Sequence, residues 1–172
     1  MRSEKPTRRT IIGVMGGGSA SSETLKMAVE LGGRIAAKGW ALLNGGRDAG
    51  VMAASAQGAA QAGGLTIGIL PDANTDHAAA HIQIPIPTGL GSARNLINVL
   101  AAEVVIACPG GLGTLSEVAL ALKYSKPVIC LGWEPGPLFA AIEATGLLQR
   151  AATPRAAVEL AEALLTASHR SS

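Results

Sequence analysis

At 172 residues, 48% of them hydrophobic, the chain is long enough to bury one substantial core without disulfide staples, and it has no uninterrupted apolar run of membrane-spanning length. Its formal charge of +2 is uneven: Arg2, Lys5, Arg8 and Arg9 are four of the 14 basic residues and Glu4 is one of the 12 acidic ones, so the remainder carries ten basic against eleven acidic side chains. A near-neutral body with only Trp40, Tyr124, Trp133 and Phe139 as aromatics excludes a nucleic-acid groove or a base-stacking platform and leaves small molecules as the partner class.

Residues 1–10 read as a flexible basic tail without the apolar centre of a signal peptide, so a cytoplasmic protein is expected. A strand follows at 11–15 and ends on Gly16-Gly17-Gly18-Ser19. From Glu23 to Lys38, apolar residues recur at helical spacing with Lys26, Glu30, Arg34 and Lys38 on the other face. The strand at 40–44 ends on Gly45-Gly46-Arg47, and an Ala-rich helix over 48–61 takes Asp48 as its N-terminal residue. A strand at 65–70 leads into an irregular stretch rich in Pro, Asp and Asn, with a weaker strand at 82–86. Gly89-Leu90-Gly91-Ser92 then precedes a helix opened by Arg94. A buried strand at 104–108 runs into Pro109-Gly110-Gly111-Leu112-Gly113-Thr114 and a helix to about Lys123. Strands at 127–131 and, more weakly, 148–151 lead to a closing helix over 156–168 and a short frayed end, 169–172. Alternating strands and helices predict an α/β fold: one three-layer, Rossmann-like domain over 11–168 with a mainly parallel sheet. With charged residues at 15%, some apolar surface is expected to close a homodimer or homotetramer.

A glycine-rich turn from a buried strand into a helix leaves free backbone N–H groups backed by the positive end of the helix dipole. Gly110, Gly111 and Gly113 remove the β-carbons that would hold a phosphate away, and Thr114 adds a hydroxyl; the plainer reading is a tight turn with Thr114 as N-cap. Because parallel strands bring their carboxyl ends to one edge, the other glycine clusters converge there too, as for a phosphorylated, nucleotide-sized ligand. Arg94 and Glu117 fall at helix starts on that edge. Each has a structural alternative, a surface ion pair for Arg94 and a capping box with Thr114 for Glu117. Beside a phosphate anchor, the pair can hold a sugar and stabilise a cationic transition state. Cys108 and Cys130 end apolar β runs and read as core thiols; His77, His81 and His169 lack metal-site spacing.

Gly45-Gly46, Gly50-Val51-Met52, Arg94 and Pro109–Thr114 with Glu117 resemble the signature of the lonely-guy superfamily, often mislabelled as lysine decarboxylases, over roughly residues 10 to 133. The resemblance implies that Arg94 and Glu117 match the catalytic pair of cytokinin-type nucleoside 5′-monophosphate phosphoribohydrolases. More closely over its length, the chain resembles the molybdenum-cofactor carrier proteins of the same superfamily, through Ile12–Gly16, Gly39-Trp40, Asn44–Arg47, Thr88–Arg94 and Glu117–Lys123. That likeness implies non-covalent binding of the molybdenum cofactor, its pterin phosphate on Gly110–Thr114, with Arg47 and Gly16–Ser19 adding polar contacts. Where the hydrolases show Met-His-x-Arg-Lys and Tyr-Gly-Gly-Gly, this chain has Gly91-Ser92-Ala93-Arg94-Asn95 and Asn44-Gly45-Gly46-Arg47, whereas its complete Pro-Gly-Gly-x-Gly-Thr motif is the more hydrolase-like feature. No lysine is placed for a Schiff base, so pyridoxal phosphate is not expected, and the missing metal-site spacing makes a catalytic metal equally unexpected.

Overall fold

The computed structural model describes residues 8–170; Arg2, Glu4 and Lys5 of the basic head and Ser171 and Ser172 at the other end lie outside the described residues. Seven strands, β1 (Ile11–Met15), β2 (Ala41–Asn44), β3 (Thr66–Leu70), β4 (Ile84–Pro87), β5 (Val104–Ala107), β6 (Val128–Leu131) and β7 (Leu148–Ala151), form one sheet in the order β4-β3-β2-β1-β5-β6-β7, every neighbouring pair parallel. Central strands such as Val104-Val105-Ile106-Ala107 are apolar throughout because they are covered on both faces. Side-chain alternation sorts them into two cores. Ile12, Val14, Leu42, Ile106 and Ile129 pack under α1 (Ser22–Ala37), α2 (Gly50–Gln61) and α6 (Pro154–Arg170). Met15, Leu43, Val105 and Val128 pack on the other face under α3 (Asn95–Ala101), α4 (Leu112–Lys123) and the segment around Phe139 that leads into the short α5 (Ala140–Glu143). The fold is thus the three-layer α/β arrangement expected from the sequence.

Cys108 lies in the first core and Cys130 in the second, which rules out a bridge between them; burial pushes their thiols up to about 12 and about 11.

Four local expectations change. Helix α2 begins at Gly50, not Asp48, with Ala49 as an N-cap that supplies no side-chain bond; its start is tied instead by Val51 N–H donating to Gly17 O at 3.0 Å. Helix α4 begins two residues before Thr114, with Gly111 at the N-cap. Thr114 is therefore inside the first turn and Glu117 in the second, so the spacing that suits a capping box forms none. Arg94 closes a 3-10 turn (Gly91–Arg94) and Asn95 is the first residue of α3. Helix α6 continues to Arg170, two residues into the expected frayed end.

The crossover from β3 to β4 holds no helix, and this leaves a mark on the surface. Ile84 and Ile86 pair in register with Ile67 and Ile69, so they extend the α3–α4 face of the sheet, yet they are 43% and 41% exposed.

Candidate functional site

Strand order turns at β1, which has β2 on one side and β5 on the other, so the loops leaving β1 and β5 part to form a crevice at the carboxyl edge of the sheet. Gly17 N–H donates to Pro109 O at 3.0 Å across that crevice, while Gly17 O receives Val51 N–H. The glycine loops after β1 and β5 and the start of α2 are thereby pinned together. Between them lies a cavity of about 300 Å³. Gly16, Gly17, Gly18, Gly45, Arg94, Gly111, Gly113, Thr114 and Glu117 line it, joined by Val14, Met15, Met52 and Asn95.

At the start of α4, the N–H groups of Leu112, Gly113 and Thr114 have no intrahelical acceptor, and the helix places its positive end behind them. The neighbouring glycines play different parts. A β-carbon on Gly111 or Gly113 would meet nothing within 4 Å, whereas one on Gly110 would overlap Thr114 Oγ1 and lie 2.8 Å from Gly17 N. Gly110 allows the two loops to touch; Gly111 and Gly113 keep the amides open to the cavity. Gly45 admits Arg94 in the same way, since a β-carbon there would overlap Nη1 and stand 2.7 Å from Nη2.

The Arg94 guanidinium makes no hydrogen bond or ion pair among the described residues, and its Nε is buried without a partner. Burial lowers its pKa; Glu117 opposes that shift, Arg47 adds to it and Asp72 opposes it. An arginine so placed stays cationic. Glu117 is only 7% exposed, and burial raises its pKa against the opposing effects of Asn98 and Arg94. Asn98 Nδ2 donates to Glu117 Oε1 at 2.7 Å. Opposite charges thus share one cavity without closing into an ion pair, as a site for a ligand with an anionic end and hydrogen-bond donors requires.

Four predicted residues do not line the cavity. Ser19 is exposed on the loop after β1, and Gly46 packs against Gly68 within the sheet. Gly110 lies beneath Thr114. Arg47 donates from Nη2 to Asp72 Oδ1 at 2.7 Å and borders a neighbouring hollow with Asp76 and His77; it influences Arg94 only through its charge.

Sequence reasoning missed Met15, Met52, Asn95 and Asn98. A pair of asparagines three apart on α3 was the available signal. Asn95 Nδ2 donates to Ser116 Oγ at 2.9 Å, and Ser116 Oγ to Gly113 O at 2.6 Å, which braces the glycine turn from α3. Asn44, in the segment where hydrolases show Tyr, is wholly buried; it donates to Met52 O and Ser55 Oγ and accepts from Gly46 N–H. Among the described residues, no group of three or more His, Cys, Asp or Glu is placed to hold a metal ion.

The model of the SLOG cluster4 family matches residues 9–158. The molybdenum cofactor binding protein of Rippkaea orientalis is 51% identical with a TM-score of 0.88, over 92% of this chain and 99% of that one. The molybdenum cofactor carrier protein of Chlamydomonas reinhardtii is 46% identical with a TM-score of 0.86, over the same shares. The cytokinin riboside 5′-monophosphate phosphoribohydrolase of Mycobacterium tuberculosis is 35% identical over 102 residues, 56% of this chain and 53% of that protein. The glycine-rich segments and the strand order that frame the cavity lie within the matched residues, and the chain belongs to the SLOG cluster4 family.

Proposed function

We propose that the protein binds and carries the molybdenum cofactor, with the cofactor's terminal phosphate on the α4 amides and its pterin body in the cavity beside Met15, Met52 and Gly45. The carrying observation is the unpartnered Arg94 guanidinium in the same cavity as an uncapped helix N-terminus: both are built to receive an anion and neither has one within the chain. The likeness to two cofactor-binding proteins along almost their whole length supports this ligand. Thr114, Gly16–Gly18 and Arg94 contact the ligand in this reading, and Arg47 acts from the rim.

One observation favours a second reading. Arg94 and Glu117 occupy the same cavity unpaired, as cleavage of the N-glycosidic bond of a nucleoside 5′-monophosphate would need: Arg94 would orient the substrate, and Glu117 would stabilise the oxocarbenium or activate water. Against it, Asn95 replaces the lysine of the hydrolase segment and is engaged with Ser116. Incubation with AMP and isopentenyl-AMP, followed by chromatography for free base, decides between them. The carrier reading expects no base release and retention of added molybdenum cofactor through gel filtration; turnover of either nucleotide would overturn it.

We further propose a homodimer or homotetramer in the cytoplasm. The assembly is supported by Ile84 and Ile86 on the helix-free edge of the sheet and by Ile97 and Leu100 of α3, at 37% and 44% exposure.

A further inference from the structure

Glu117 is held from one side only. Asn98, 0% exposed on α3, donates to Oε1, while Oε2 has no hydrogen-bond partner among the described residues and Glu117 borders the cavity. Asn98 Oδ1 is itself buried and unpartnered. As packing between α3 and α4 this is a poor arrangement: an acceptor is desolvated without compensation, and two apolar side chains would join the helices more firmly. An arrangement that is poor as core and that meets a ligand cavity points to a task in the cavity.

We propose that Asn98 is a positioning residue: it fixes the Glu117 side chain so that Oε2 is presented to the cavity as an acceptor, making the site selective for ligands that carry an N–H or O–H donor beyond their phosphate. This rests on the reading of the cavity as a phosphorylated-ligand site. Helix α3 then has a double role. Asn95 braces the anion turn through Ser116, and Asn98, one turn further on, sets the acceptor opposite. Of the charged groups packed around Glu117, Arg94 is the one that acts on it, and it leaves the carboxylate unpaired.

The test uses the full chain with Asn98→Leu, and Asn98→Ala should the larger side chain prevent folding. The first measurement needs no ligand: carbon-13 NMR titration of the Glu117 carboxyl, assigned by its loss in Glu117→Gln. Removing the donor should move the midpoint upward by about one pH unit, because the bond favours the ionised form. The second is affinity for molybdenum cofactor and for AMP. Asn98→Leu should weaken whichever binds by about ten- to a hundredfold, and adding Glu117→Gln should cost little more. An unmoved midpoint in a folded variant, or losses that simply add, would overturn the proposal. Failure of the wild-type protein to bind either compound would count against the carrier reading, and the titration would still decide the role of Asn98.

Discussion

Gly110 and Gly111 are adjacent, and the structure assigns them opposite sensitivities. Gly111 has φ −96° and ψ −153°, an extended conformation open to any residue, and a β-carbon on it meets nothing within 4 Å. Gly111→Val should therefore fold normally while projecting its methyls in front of the α4 amides. If a phosphate loses two charge-assisted bonds to backbone N–H, at about 1.5–3 kcal/mol each, affinity falls by about 3–6 kcal/mol, or roughly a hundredfold to ten-thousandfold. Gly110→Ala acts on the fold instead. Its methyl would lie 2.8 Å from the Gly17 amide, a backbone atom that itself bridges to Pro109, and against Thr114 Oγ1. Overpacking of that kind costs about 1–3 kcal/mol, which lowers the Tm of a domain this size by about 2–12 °C. Calorimetric titration with whichever of molybdenum cofactor and AMP the wild type retains, together with thermal unfolding, separates the two effects. Wild-type affinity in Gly111→Val would refute the anion cradle, and an unchanged Tm in Gly110→Ala would refute the loop contact.

Replacing Glu117 by Gln keeps an oxygen for Asn98 but removes the charge, so ligand affinity should fall by about ten- to a hundredfold. Its stability effect has the opposite sign. Burial raises the carboxyl's pKa above 4.5, so the native state holds more protons than the unfolded chain between that value and the raised one, and wild-type stability declines as pH climbs through the window. Glu117→Gln should gain Tm over wild type across that range and keep the gain above it; a gap that stays constant from about pH 4 to about pH 8 would contradict the assigned burial. Arg94→Gln should lose about tenfold or more in affinity with little loss of Tm, because the guanidinium has no partner within the protein; a large Tm drop would expose a structural role. Ile84→Lys with Ile86→Lys should dissociate the assembly while leaving the half-exposed strand folded, as read by light scattering and circular dichroism, and a monomeric wild type at micromolar concentration would end the oligomer proposal.

The sheet was legible because fully covered parallel strands are plain apolar runs; even the edge strands β4 and β7 fell near their expected places. The convergence of the glycines after β1, β2 and β5 was legible as well, since parallel topology brings their carboxyl ends to one edge, whereas Gly89 and Gly91 fall outside the cavity lining. What sequence spacing could not resolve was which role a glycine or polar residue takes once it arrives. Thr114 and Glu117 have capping-box spacing, but a helix can begin at Leu112 because glycines leave its first amides uncovered, and the two side chains are then free for other contacts. Arg47 sits beside the glycine pair in sequence, yet Asp72 from the β3–β4 crossover draws its guanidinium to the rim. The spacing of Asn95 and Asn98 could mark one face of α3, but not the role of Asn98, which lies in a contact between two helices.

The unpaired state of Arg94 and Glu117 is the feature that links this fold to binding. Two opposite charges in a cavity of about 300 Å³ would lower their energy by closing on each other, and flexible side chains on a surface do so routinely. Here the guanidinium lies against the Cα of Gly45, which no other residue would permit, while the carboxylate is tied to a fully buried asparagine on α3. Each partner is restrained by its own scaffold, and the desolvation of both is only partly offset, by Asn98 at Glu117 and by the mutual attraction of the two charges, until a ligand enters. A ligand that supplies an anion to Arg94 and a donor to Glu117 recovers those interactions without reorganising the protein, so its affinity draws on desolvation already incurred in the folded chain.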